Sequence, residues 1–140
     1  MADFSLTGLL RLRRRQEDQA AGNLLRARSR ASELAAQRTH VRDSMLDQGD
    51  EVASIEALHA VSAARASTSS MLADLRTLEL QQHEEVERAR AAHAKARADR
   101  MAIEKLETRH DAEQAAERLR TEQAELDEIA GRTPGTGGRR

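Results

Sequence analysis

The sequence predicts an all-α protein: a long antiparallel two-helix coiled-coil hairpin with a short helical segment at the bend and a disordered C-terminal tail. Three observations carry this. Charged residues make up 34% of the 140-residue chain and aromatic residues 1%, which suits long helices and leaves little bulk for a thick globular core. Apolar residues recur at alternating spacings of four and three over two long stretches, the pattern of a narrow helical seam. The stretch from Ile103 to Ala130 has no Gly or Pro and is dominated by Ala, Leu, Glu, Gln and Arg, residues that lose little side-chain entropy in a helix. So polar a helix needs a partner helix over its seam.

The first helix is expected over about residues 4–47, with Asp3 or Ser5 as its cap. Its seam runs through Leu6, Leu10, Arg13, Glu17, Ala20, Leu24, Ala27, Ala31, Leu34, Arg38, Val41 and Met45, nine of these twelve being apolar. Gly22 lies inside this helix and weakens it by about 1 kcal/mol relative to Ala. The pattern stops at Asp47-Gln48-Gly49-Asp50, where Gly49 suits a helix end and Asp50 or Ser54 a new start. Ile55, Leu58 and Val61 share a face, which predicts a short helix within the bend, about residues 48–70. The run Ser67-Thr68-Ser69-Ser70 consists of weak helix formers, so the second long helix is expected over 71–131. Its seam passes through Leu72, Leu75, Glu79, Gln82, Val86, Ala89, His93, Ala96, Arg100 and Ile103, slips phase near residues 104–111, and resumes at Leu119 and Leu126. Residues 132–140 include Pro134 and a run of Gly, and are expected to be disordered.

Charge argues for antiparallel pairing within one chain. Residues 1–46 carry nine Arg against five acids, whereas residues 104–130 carry four bases against nine acids. Two long helices with one bend set these segments side by side in a monomer. The expected neighbours are Arg11, Arg14 and Arg15 on one side and Glu122, Asp127 and Glu128 on the other.

The chemistry that the sequence excludes is broad. There is no Gly-rich phosphate loop and no nucleophile motif, so no catalytic residue, cofactor or small-molecule substrate is assigned. Cysteine is absent, which removes disulfides and thiolate metal sites. His83 and Glu87 are four apart on a helix, but no second ligand pair completes a metal site. A net charge of −1 gives no overall reason for nucleic-acid binding, and a seam that runs through the Arg cluster argues against a basic zipper. The basic residues follow the apolar ones at the N-terminus, the wrong order for a signal peptide, and no apolar run approaches the ~18 residues of a membrane span. A cytoplasmic location follows as an expectation.

The opening Phe4-x-Leu6-x-x-Leu9-Leu10-x-Leu12-Arg13, with Glu17 after it, resembles the start of the flagellar export protein FliJ family. The closing Ile103-Glu104-Lys105-Leu106-Glu107 and Glu122-Gln123-x-x-Leu126-Asp127-Glu128-Ile129-Ala130 resemble that family's end. The resemblance implies a soluble stalk of the flagellar type III export apparatus, an antiparallel coiled coil like the central stalk of rotary ATP synthases. It implies binding to the export ATPase ring, which the paired helix ends enter with Arg11, Arg14, Arg15, Glu122, Asp127 and Glu128 as the expected contacts, to the export gate protein, and in some members to export chaperones. Location at the flagellar base, with at most peripheral membrane association, comes with it, as does a need for the protein in flagellum assembly, motility and chemotaxis. Stalk proteins of virulence secretion systems share this architecture. A passive scaffold or adaptor is the reading that competes with a coupling stalk.

Overall fold

The computed structural model describes residues 2–47 and 53–132, with side chains from Leu6 onward. Two helices account for them. Helix α1 spans Ala2–Leu46 and helix α2 spans Ile55–Arg132. At about 1.5 Å per residue they are roughly 67 Å and 117 Å long. All contacts between elements are those of α1 against α2. The fold is thus the antiparallel helical hairpin that the heptad pattern implies, without a strand among the described residues.

The bend differs from the expectation in a specific way. Residues 55–70 do not form a separate short helix; they are the first turns of α2, which runs without a break to Arg132. Ser54 starts it. Its Oγ accepts a hydrogen bond from the Ala57 amide at 3.1 Å and its carbonyl accepts one from the Leu58 amide at 3.0 Å, the arrangement of an N-cap serine. The weak formers at 67–70 stay helical because each costs only tenths of a kcal/mol relative to a good former. Thr68 further returns its hydroxyl proton to the Ala64 carbonyl at 2.9 Å, so its polar group does not compete with the ladder. At the other side of the bend, α1 closes with the Asp47 amide donating to the Asp43 carbonyl at 3.0 Å. Gly49 and Asp50 lie outside the described residues, as does the expected disordered tail beyond Arg132. Helix α1 begins at Ala2, ahead of both Asp3 and Ser5.

Two cylinders in contact shield only one stripe of each other, so the seam is thin. Leu10, Leu24, Val86 and Gln82 are the residues that lose nearly all solvent, at 4%, 8%, 8% and 8% exposure. Leu6, Leu34, Val41, Met45, Leu72, Leu75 and Ile103 are half-buried. Leu119 and Leu126 are not covered at all, at 66% and 60% exposure. Their expected place in the seam is corrected by length: α1 ends before it can reach them.

Gly22 occupies the middle of α1 with no conformational need for glycine. A Cβ there would meet only the Arg26 guanidinium, 3.6 Å away at its nearest atom. Gly22→Ala is therefore expected to stabilise the rod by about 1 kcal/mol, read as a raised midpoint in urea unfolding followed by circular dichroism.

Candidate interaction surface

The polar side of the seam sets which residues meet. Near the open end, Arg100 lies between Glu17 of α1 and Glu104 of its own helix. Its Nε donates to Glu17, and its Nη1 donates to Glu104 at 2.6 Å. Arg14 reaches the same Glu104 at 3.4 Å, and Arg13 lies 3.5 Å from Asp99. Farther along, the Gln82 amide donates to the Ala27 carbonyl at 3.0 Å, and Arg38 faces Glu79 at 3.3 Å. These contacts place α1 residues 13–38 against α2 residues 79–104.

The electrostatic consequences follow from the same geometry. Hydrogen bonds from Arg100 and then from Arg14 hold the Glu104 carboxyl below the usual carboxylate range, against the opposing effect of burial. Glu17 and Glu104 in turn raise the Arg100 guanidinium above its ordinary value. A lowered carboxyl contributes stability that is present above its unfolded pKa and is lost as pH falls through its folded pKa. The Arg100 contribution is lost only at extreme alkaline pH. Acidification below about pH 4 is therefore expected to lower the melting temperature, and Glu104→Gln should flatten that dependence in melts taken between pH 2 and 6.

This register moves the anticipated site. The Arg cluster does not lie beside Glu122, Asp127 and Glu128. Its partners are Asp99 and Glu104, and the acidic cluster begins 18 residues farther along α2, roughly 27 Å away at 1.5 Å per residue. The expectation assumed that the two helices end together. They do not, because α1 has 45 residues and α2 has 78. Arg11 and Arg15 stay exposed on α1, whereas Arg14 is partly engaged by Glu104.

Every residue from Asp111 to Arg132 is exposed. This extension of 22 residues projects about 33 Å past its last half-buried position, His110. It carries seven acids against Arg118, Arg120 and Arg132. Its local contacts run along the helix: Arg120 to Glu117 at 3.6 Å, Gln123 to Asp127 at 3.0 Å and Arg132 to Glu128 at 2.9 Å. Leu119 and Leu126 sit seven residues apart on one side of it, a spacing suited to the groove of another chain. Sequence pattern alone could find these leucines, but not that they face water. Asp99 and Glu104, which receive the Arg cluster, flank the seam residues Arg100 and Ile103, and that adjacency was the signal available for them.

Among the described residues no group of three or more His, Cys, Asp or Glu side chains could hold a metal ion, and no helix is long and apolar enough to cross a membrane. An open groove lies beside the seam, bordered by Arg26, Arg30, Leu34, Leu78, Glu85 and Arg88.

A long two-helix rod, thinly cored, with one helix projecting past the other, defines the class: an elongated coiled-coil hairpin protein. The chain belongs to the FliJ family, since the family model described as Flagellar FliJ protein matches residues 1–139. It is a component of the flagellar protein export apparatus, of a family that serves structure and export rather than catalysis. No curated protein and no solved structure matches the chain.

Proposed function

We infer that the protein is the stalk that couples the flagellar export ATPase ring to the export gate, and that it acts in the cytoplasm at the flagellar base. The observation that carries this reading is the exposed end of α2. A helix that is mostly charged, carries Leu119 and Leu126 toward solvent and runs about 33 Å past its last half-buried residue is built to enter another body. Membership of the FliJ family supports taking the export ATPase ring as that body. In this reading Leu119, Leu126, Glu122, Asp127 and Glu128 touch the ring's interior, and Arg11 and Arg15, at the base of the projection, touch its rim. Arg14 contributes less, because Glu104 already engages it. The protein acts as a monomer, transmits position or torque, and hands over export chaperones. Loss of it stops flagellum assembly and with it motility and chemotaxis. The same architecture would serve a virulence secretion system, but the family match is to the flagellar protein.

The test is a pull-down of purified export ATPase and, separately, of the export gate protein, with the full chain and with Leu119→Asp/Leu126→Asp. Retention of the ATPase by the full chain and its loss in the variant, with helicity unchanged, is the expected result. Failure of the full chain to retain either protein would leave a passive scaffold as the better reading.

A further inference from the structure

Two of the four charge pairs that join the helices among the described residues follow a rule of position. Glu17 of α1 meets Arg100 of α2, and Arg38 of α1 meets Glu79 of α2. Glu17 and Arg38 are 21 residues apart, and so are Glu79 and Arg100, which is three heptads on each helix. The polarity alternates: acid then base along α1, acid then base along α2. Both pairs form together only when the helices run in opposite directions. In a parallel alignment that sets Glu17 beside Glu79, Arg38 falls beside Arg100, so like charges face each other at both places.

The same positions discriminate between registers. If α2 slid by one heptad in either direction, Arg100 would come opposite Leu10 or Leu24. These are the two most buried residues of α1, at 4% and 8% exposure. Glu79 would come opposite Ala31 or Met45. Each slip therefore sets Arg100 and Glu79 against apolar side chains without their partners across the seam, leaving Arg100 only Glu104 of its own helix, which costs more than the native pairs. The apolar seam by itself discriminates poorly, because Ala20, Ala27, Ala31, Ala89 and Ala96 fill much of it and one Ala packs much like the next. The Gln82 bond to the Ala27 carbonyl does not choose either, since every helical residue offers a carbonyl.

We propose that the Glu17–Arg100 and Arg38–Glu79 pairs are a two-point lock that sets the orientation and register of the hairpin, and through the register the reach of the free end of α2. One heptad of slip would lengthen or shorten that projection by about 10 Å. A rod that works by where its end sits needs one length, and apolar packing this uniform does not supply it. Polar seam residues that specify register at a cost in stability are an established use of such groups.

The chain has no cysteine, so nitroxide labels can be placed at will. Gln19→Cys on α1 and Gln114→Cys on α2 are both exposed sites, and the distance between them reads the register. The doubly labelled chain, diluted into unlabelled cysteine-free protein, should give one narrow distance. With Glu17→Leu, Arg38→Leu, Glu79→Leu and Arg100→Leu added, the rod should melt at least as high and give two or more distances about 10 Å apart. A single distance equal to that of the parent would overturn the proposal, because packing together with the Arg13–Asp99 and Arg14–Glu104 contacts would then set the register without the two pairs. Should the fourfold variant aggregate, a charge exchange decides instead. Arg100→Glu alone should broaden the distribution, and adding Glu17→Arg should restore the single distance; failure to restore it would equally overturn the lock.

Discussion

Leu24→Asp is expected to abolish cooperative melting of the rod at ordinary temperature, at a cost of about 3 kcal/mol or more. Leu24 is one of three apolar side chains with less than a tenth of their surface exposed, and it lies near the middle of α1. A carboxylate placed there loses hydration that the thin seam does little to replace. A two-helix hairpin has no second layer to absorb the loss, so separation of the helices at this point exposes the rest of the seam. Leu34→Asp should cost less, since Leu34 is half-buried and borders an open groove with Arg30 and Leu78, where a carboxylate keeps part of its water. Arg28→Asp, on the exposed face, should fall within about 0.5 kcal/mol of the parent. Thermal melts followed by circular dichroism at 222 nm measure all three. Equal midpoints for Leu24→Asp and Arg28→Asp would mean that the seam is not where the structure places it.

A chain that stops after Asp111 is expected to keep the hairpin and lose the ATPase. Every described residue of the removed segment is exposed, so its loss should leave the melting midpoint of the paired region nearly unchanged. The helical signal should fall in proportion to the residues removed. Binding to the export ATPase ring should weaken by a hundredfold or more, about 2.7 kcal/mol, because Leu119, Leu126 and six of the seven projecting acids are gone. Binding that survives the truncation would assign the ring contact to the paired part of the rod, and Arg11 and Arg15 would become the residues to reverse next. A lower midpoint would show that the extension steadies the hairpin and is not a free end. The affinity measurement should be repeated at raised salt, where a contact made by seven acids ought to weaken further as the charges are screened.

Much of the architecture is legible in the residues. The seam positions from Leu6 to Ile103 follow from apolar spacing, and the hairpin follows from one interruption between two such runs. The charged positions inside the seam are legible too: Arg13, Glu17, Arg38, Glu79, Gln82 and Arg100 fall on the heptad pattern, and each of them makes a contact between the helices. What the residues concealed was continuity and offset. A run of Ser and Thr at 67–70 looks like a bend, yet local propensities of tenths of a kcal/mol do not stop a helix that is stabilised on both sides. Only the folded chain shows that α2 starts at Ser54 and continues for 78 residues.

The candidate site shows the same division. The arginines and acids at the two ends are plain in the sequence, and so is their opposite charge. Their separation is not, because heptad patterns repeat and one register resembles the next in apolar content. The sequence by itself determined the class of fold, the seam and the polar residues within it, since periodicity and charge are local properties of the chain. The tertiary structure alone decided which turn of α1 lies against which turn of α2. That choice turned Leu119 and Leu126 from seam into surface and left Glu122, Asp127 and Glu128 far from the Arg cluster, because alignment between two helices depends on pairings between residues about 40 to 90 positions apart, which no local pattern encodes.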